Sequence, residues 1–201
     1  MSKYKANFFD KEFFVRKTGE KGAQRDGDSA HYYCTAVALF KVFGGKKYTW
    51  LDVGCGMGWK VRHLKNLGEN SRGCDISKYA VENKITENVE QGDSRTYDKP
   101  ADIVIAERTL EYLHPDDVLG AIKNLWGLTQ KYLIIAPVCL DAQDMIMPYL
   151  GAPGRLSLEA KSWWTKKFIE AGLVPDLNKT AVLRQPAGWD CIWVFTKEGS
   201  K

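Results

Sequence analysis

Asp52-Val53-Gly54-Cys55-Gly56-Met57-Gly58 closes a short apolar run, Thr49–Val53, and leads at Trp59 into a helical pattern. Three glycines at alternate positions between a strand end and a helix start permit a tight turn and a close backbone approach to a ligand. In an open α/β sheet, ligands sit beyond the carboxyl ends of the strands, which is where this loop falls. A dinucleotide site uses Gly-x-Gly-x-x-Gly and sets a pyrophosphate on the helix N-terminus. Here the spacing is Gly-x-Gly-x-Gly, and an acid, Asp52, stands directly before it. A carboxylate at that place opposes a pyrophosphate and suits a cationic ligand.

Outward from this loop the chain alternates. Before it, the apolar positions from Asp28 to Phe43 suit a helix capped by Asp28 or Ser29 and ended by Gly44-Gly45. After it come a helix at Trp59–Leu67 closed by Gly68, a strand at Ser71–Cys74, a helix around Lys78–Asn83 and a weak strand at Asn88–Gln91. A strong strand at Ile103–Ala106, a helix from Pro115 to about Leu128 and a strand at Tyr132–Pro137 follow. A helix at Ser162–Ala171 stops at Gly172, and two late strands are expected near Thr180–Leu183 and Cys191–Thr196. The alternation implies βαβ units and a parallel sheet with helices on both faces. The link between the two late strands is too short for a helical crossover, so the last pair is expected to be antiparallel.

Two further acids extend the site. Asp75 ends the second strand, in Arg72-Gly73-Cys74-Asp75-Ile76-Ser77. A carboxylate there accepts two hydrogen bonds from a ribose diol, a role that NAD and adenosyl ligands share. The plainer alternative is a helix cap before Lys78. Gly92-Asp93-Ser94 follows the third strand, where a carboxylate can take an adenine amino group or serve as an ordinary turn acid. S-adenosylmethionine, with a sulfonium, an ammonium and no phosphate, fits this set of acids.

The order of these motifs, with Ala101–Glu107 and then Arg108-Thr109-Leu110-Glu111-Tyr112-Leu113, resembles the class I S-adenosylmethionine-dependent methyltransferases, particularly the broad small-molecule group. The likeness covers about Thr49–Pro137 and returns at Ser162-Trp163-Trp164-Thr165 through Gly172. It implies a Rossmann-like α/β fold: a seven-stranded, mostly parallel sheet with its last strand antiparallel. By this likeness Asp52, Gly54, Cys55, Gly56 and Gly58 form the loop at the cofactor's methionine end. Asp75 binds the ribose hydroxyls, with Ile76 packing on adenine. Asp93 and Ser94 address the adenine edge, and Glu107 and Arg108 line the cofactor near its sulfur. The group often has His where this chain has Tyr112. Candidates for a base acting on an alcohol acceptor are Glu111, His114, Asp141, Asp144 and His31, each with an ordinary surface or core role as its alternative.

Residues 1–27, with Phe8, Phe9, Phe13 and Phe14 and a loop from Gly19 to Gly27, read as an N-terminal arm. Residues 28–201 read as one methyltransferase domain, with a cofactor half at about 49–137 and an acceptor-side segment at about 138–201. Tyr32, Tyr33, the Val138–Gly154 stretch, Trp163 and Trp189 are candidates for an aromatic acceptor pocket. The chain has 201 residues, 44% of them hydrophobic, as a folded domain requires. No apolar run is long enough to span a membrane and no secretion signal opens the chain. Five unclustered cysteines argue against a disulfide framework or a metal site and for a reducing, cytoplasmic compartment. The net charge of +4, without a basic cluster, disfavours nucleic acid as acceptor. The sequence thus points to a small-molecule hydroxyl or amine, with a sugar or sugar nucleotide as one option. An RNA or protein methyltransferase and a non-catalytic cofactor-binding subunit stand as alternatives. No oligomeric state is read from it.

Overall fold

The structure, a computed structural model, describes residues 8–14, 29–142, 154–187 and 190–197. A short helix α1 (Lys11–Phe14) precedes α2 (Ser29–Phe43), β1 (Thr49–Val53), α3 (Trp59–Asn66), β2 (Asn70–Asp75), α4 (Lys78–Glu82) and β3 (Val89–Gln91). Then come β4 (Ala101–Glu107), a single 3-10 turn (Leu110–Tyr112), α5 (Pro115–Leu128), β5 (Thr129–Ala136), α6 (Lys161–Glu170), α7 (Leu177–Ala187) and β6 (Trp193–Thr196). The strands form one sheet in the order β3-β2-β1-β4-β5-β6. All neighbours are parallel except β5 and β6.

Successive side chains of a strand point to opposite faces. Leu51, Val53, Val104, Ala106, Leu133 and Ile135 pack with α5 and α6 through Ile122, Leu125, Trp164 and Phe168. Trp50, Ile103, Ile105 and Ile134 pack on the other face with α2, α3 and α7 through Ala36, Leu39, Leu64 and Leu183. Both faces are covered, so the central strands read as continuous apolar runs. Glycines end α3 and α6 in left-handed conformation, Gly68 at φ 89° and Gly172 at φ 77°.

The sheet has six strands among the described residues, not seven, because Thr180–Leu183 lies inside α7. Its β-branched residues suggested a strand, but local bonding decides for a helix. The Asp176 carboxylate accepts from Lys179 N at 2.9 Å, as an N-cap does. Asp176 N also donates to Val194 O at 2.7 Å, and Val194 N donates to Thr180 Oγ1 at 3.0 Å. These two groups of β6 are the ones a seventh strand would use. The last strand is antiparallel as expected, but its partner is β5.

Phe13 and Phe14 are buried against Met57 and Ala80, with Phe8, Phe9, Tyr79 and Tyr112 packed around them. Ser77 Oγ donates to Phe9 O, which ties this piece of the arm to the residues after β2. The expected loop at Gly19–Gly27 and the cap at Asp28 lie outside the described residues. No described helix is long and apolar enough to cross a membrane.

Candidate functional site

The strand order reverses between β1 and β4, and this switch point is where a ligand crevice forms in such a sheet. The glycine loop sits at its edge. Gly54, Gly56 and Gly58 all have positive φ, at 73°, 56° and 91°. A Cβ on Gly54 would also fall 2.2 Å from Thr109 Oγ1, so the loop packs directly on the residues that follow β4. Gly54 N and Cys55 N both donate to Cys74 O, at 2.8 and 3.1 Å. Cys55 itself packs with Val61 and Val89, so only its backbone faces the crevice side of the turn.

Asp75 locks this loop to β2. Its Oδ2 accepts from Gly56 N at 2.7 Å and its Oδ1 from Ser77 N at 2.8 Å. The cap of α4 is Ser77, whose hydroxyl accepts from Ala80 N at 3.1 Å, so Asp75 does not have the capping role. Burial pushes its carboxyl up to about 6, against the lowering effect of the Ser77 and Gly56 N–H groups. A carboxylate has about four acceptor positions, so a diol can still bind it. Half-buried Ile76 follows directly.

Lys60 was not foreseen from the sequence. Its ammonium, 3% exposed, lies 2.9 Å from Asp52 Oδ1 and 2.8 Å from Glu107 Oε2, bridging the ends of β1 and β4. His31, near the start of α2, adds a fourth member: its Nε2 is 3.0 Å from Glu107 Oε1. Burial would raise Glu107, yet Lys60 and His31 hold it well below the usual carboxylate range. Asp52 is raised by burial despite Lys60, and Lys60 is raised by the two carboxylates despite its own burial. A signal was available: a lysine in the first turn of a helix opposes the helix dipole, so it needs local acids. Arg108 follows Glu107 at φ 51°, a backbone state that non-glycine residues adopt mainly at constrained sites.

Asp93 serves the turn. It accepts from Arg95 N and Nε, each at 2.9 Å, and from Nη2 at 2.6 Å, and Arg95 also pairs with Asp117 at 3.0 Å. This ion pair holds the Asp93 carboxyl below its ordinary value although burial opposes it. Ser94 is buried beside it.

The base candidates separate. His114 caps α5, with Nδ1 accepting from Asp116 N at 3.4 Å, and Asp141 accepts from Lys161 N at 2.8 Å at the start of α6. Asp144 and Trp189 lie outside the described residues, as do residues 143–153 of the acceptor-side stretch. Trp164 is a core residue and Trp163 is partly buried against the core, while Tyr33 is exposed. Tyr112, where the resembling group often has His, meets Phe9 and Phe13 with ring centroids 5.4 and 5.6 Å apart.

Glu111 is fully buried, 3.6 Å from Arg155 Nε. Its carbonyl accepts from Leu156 N and Ser157 N, at 2.9 and 3.0 Å, so residues 155–157 are tied to the turn after β4. Burial pushes its carboxyl up to about 7, with Arg155 opposing. A folded value above the unfolded one makes its contribution to stability largest at low pH and lost as pH rises through about 7. Between pH 8 and pH 6 this contributes about 1 kcal/mol. Glu111→Gln should remove that increment, measured as the difference between urea unfolding free energies at the two pH values.

Residues 51–132 match the family described as a methyltransferase domain. No curated protein matches by sequence. Several solved structures share the fold. Magnesium protoporphyrin IX methyltransferase from Synechocystis PCC 6803 with bound S-adenosylmethionine is 15% identical, with 96% of this chain and 95% of that one covered and a TM-score of 0.65. DesVI of Streptomyces venezuelae is 14% identical over 84% and 93%, with a TM-score of 0.63. An S-adenosylmethionine-dependent methyltransferase from Archaeoglobus fulgidus is 15% identical over 83% and 94%, with a TM-score of 0.62.

Proposed function

We propose that this chain is a class I, S-adenosylmethionine-dependent methyltransferase that moves a methyl group to a hydroxyl or amine of a small molecule, a sugar or sugar nucleotide being one option. The observation that carries the reading is the placement of Asp52, Asp75 and Glu107 at the carboxyl ends of β1, β2 and β4, around a left-handed glycine turn. That set suits a cationic adenosyl ligand and opposes a pyrophosphate.

In this reading Asp75 takes the ribose diol and Ile76 packs on adenine. Asp93 stays with Arg95, leaving the backbone at Asp93 and Ser94 to meet the adenine edge. The Gly54–Gly58 turn and the Asp52–Lys60–Glu107 cluster, with Arg108, border the methionine end. The bound cofactor supplies a methyl carbon activated by a sulfonium. The protein's part is to hold donor and acceptor in line, which lowers a barrier by about 7–11 kcal/mol in favourable cases. A small-molecule acceptor is supported by the mild charge balance and by a fold neighbour named for magnesium protoporphyrin IX. The free cysteines Cys34, Cys55, Cys74, Cys139 and Cys191 support a reducing, cytoplasmic setting.

Because the diol needs the ionised carboxylate, affinity for S-adenosylhomocysteine should be level above pH 7. Below about pH 6 it should fall, by up to about tenfold per unit, as Asp75 protonates. Titration calorimetry from pH 8 to pH 5 reads this directly. The acceptor class is tested with methyl-labelled S-adenosylmethionine, a panel of small alcohols, amines and aminosugars, short RNA and a protein extract. Label on a member of the small-molecule panel supports the proposal. Label on RNA or protein alone replaces it, and tight cofactor binding with no transfer favours a non-catalytic subunit.

A further inference from the structure

Residues 8–14 of the arm touch four segments that all lie beyond the carboxyl ends of strands. Phe13 and Phe14 are buried against Met57, in the turn after β1, and against Ala80, after β2. Phe14 stacks on Tyr79 at 5.9 Å, and Phe9 O accepts from Ser77 Oγ. Phe9 and Phe13 meet Tyr112, after β4, edge-on at 5.4 and 5.6 Å. Phe8 lies against Gly154, between β5 and α6: a Cβ on that glycine would fall 2.3 Å from the Phe8 ring. Tyr112 also lies under Arg155, whose guanidinium is 5.6 Å from the ring centroid, so the arm and the acceptor-side segment meet on one side chain.

Helix α1 has four residues, too few to stand alone in water. Within it, Phe13 N donates to Asp10 Oδ1 at 3.1 Å and Phe14 N to Asp10 O at 3.4 Å. Its attachment to the body consists of aromatic packing and the Ser77 hydrogen bond, which places it at the low end of local stability. Resting on the reading of the crevice as an S-adenosylmethionine site, we propose that residues 8–14 are a strap whose docking and the binding of the adenosyl ligand reinforce each other.

The reason is geometric. The segments after β1, β2 and β4 border the crevice at the switch in strand order, and a ligand there holds them at one spacing. The docked strap holds the same segments through Met57, Ala80 and Tyr112. Close-packed side chains do not stretch continuously, so a spacing that suits the ligand also suits the strap. Such coupling is reciprocal: whatever factor the docked strap adds to ligand affinity, the ligand adds to docking. A variant whose strap is docked in only about one molecule in three to one in ten loses about three- to tenfold in observed affinity.

The test is hydrogen exchange of the full chain, read by mass spectrometry with and without saturating S-adenosylhomocysteine, beside calorimetric titration of the same ligand. In the wild type the ligand should slow exchange in the peptide covering residues 8–14 by about fivefold or more. The effect should be seen at exchange times at which the buried strands are still unexchanged, since it reports undocking of the strap and not unfolding of the body. Phe13→Ala and Phe9→Ala should each bind S-adenosylhomocysteine about three- to tenfold more weakly. Phe9 is only partly buried, so its variant keeps the body folded, which urea unfolding checks. Exchange of residues 8–14 that bound ligand leaves unchanged, or an affinity within about twofold of wild type in both variants, overturns the strap and leaves the cofactor reading standing. Failure of S-adenosylhomocysteine to bind the wild type overturns the cofactor reading and this proposal with it.

Discussion

Lys60→Met is expected to cost about 3–5 kcal/mol of stability at pH 8, the range for breaking a buried ion pair on one side. Methionine fills a similar volume, so the loss isolates charge. Asp52 and Glu107, both buried, would be left without the cation that bridges them. In the wild type, Glu107 titrates well below its ordinary value, so its contribution to stability is present above the unfolded value and lost as pH falls through the folded one. In the variant the sign reverses, because burial alone raises both carboxyls and protonation then relieves the cost. The gap between wild type and variant should therefore narrow steadily from pH 8 to pH 5 in urea unfolding. A gap below about 1 kcal/mol at pH 8, or one that does not change with pH, would show that the bridge contributes little.

If Asp75 holds the ribose as proposed, Asp75→Ala should weaken S-adenosylhomocysteine binding by about 2–4 kcal/mol, because it removes charge-assisted hydrogen bonds to the diol. The same change leaves Gly56 N and Ser77 N without their acceptor, so the glycine turn loosens as well. Asp75→Asn separates these effects. An amide oxygen still accepts one N–H but carries no charge, so affinity should remain low while the unfolding free energy recovers in part. Calorimetry gives the first quantity and denaturant unfolding the second. An affinity unchanged in both variants would return Asp75 to a purely structural part in the turn.

The parallel core was readable because both sheet faces are covered. Ile103–Ala106 and Tyr132–Pro137 stand out as unbroken apolar runs; β4 extends beyond its run by Ala101-Asp102 and Glu107, and β5 begins earlier, at Thr129, and ends at Ala136. Asp52, Asp75 and Glu107 were also readable, since a strand end followed by a turn fixes an acid's place in the fold. Thr180–Leu183 was not. Its propensity favours a strand, and the decisive contacts, from Asp176 and Thr180 to Val194, are tertiary. Lys60 escaped for the same reason, and so did the pairing with Glu107 of His31, foreseen only as a candidate base: these contacts are fixed only when α2 and α3 pack over the ends of β1 and β4. The roles of His114 and Asp141 depended on which backbone N–H each would meet, and both proved to be at helix starts.

The proposed function requires that the Asp52–Gly58 turn, with Asp75 and Glu107, bind a cationic adenosyl donor. Thermal denaturation in the presence of S-adenosylmethionine, S-adenosylhomocysteine and NAD tests it most directly. A ligand at one hundred times its dissociation constant stabilises the folded state by about 2.7 kcal/mol. Stabilisation is expected from S-adenosylmethionine and S-adenosylhomocysteine and none from NAD; stabilisation by NAD alone would overturn the cofactor assignment.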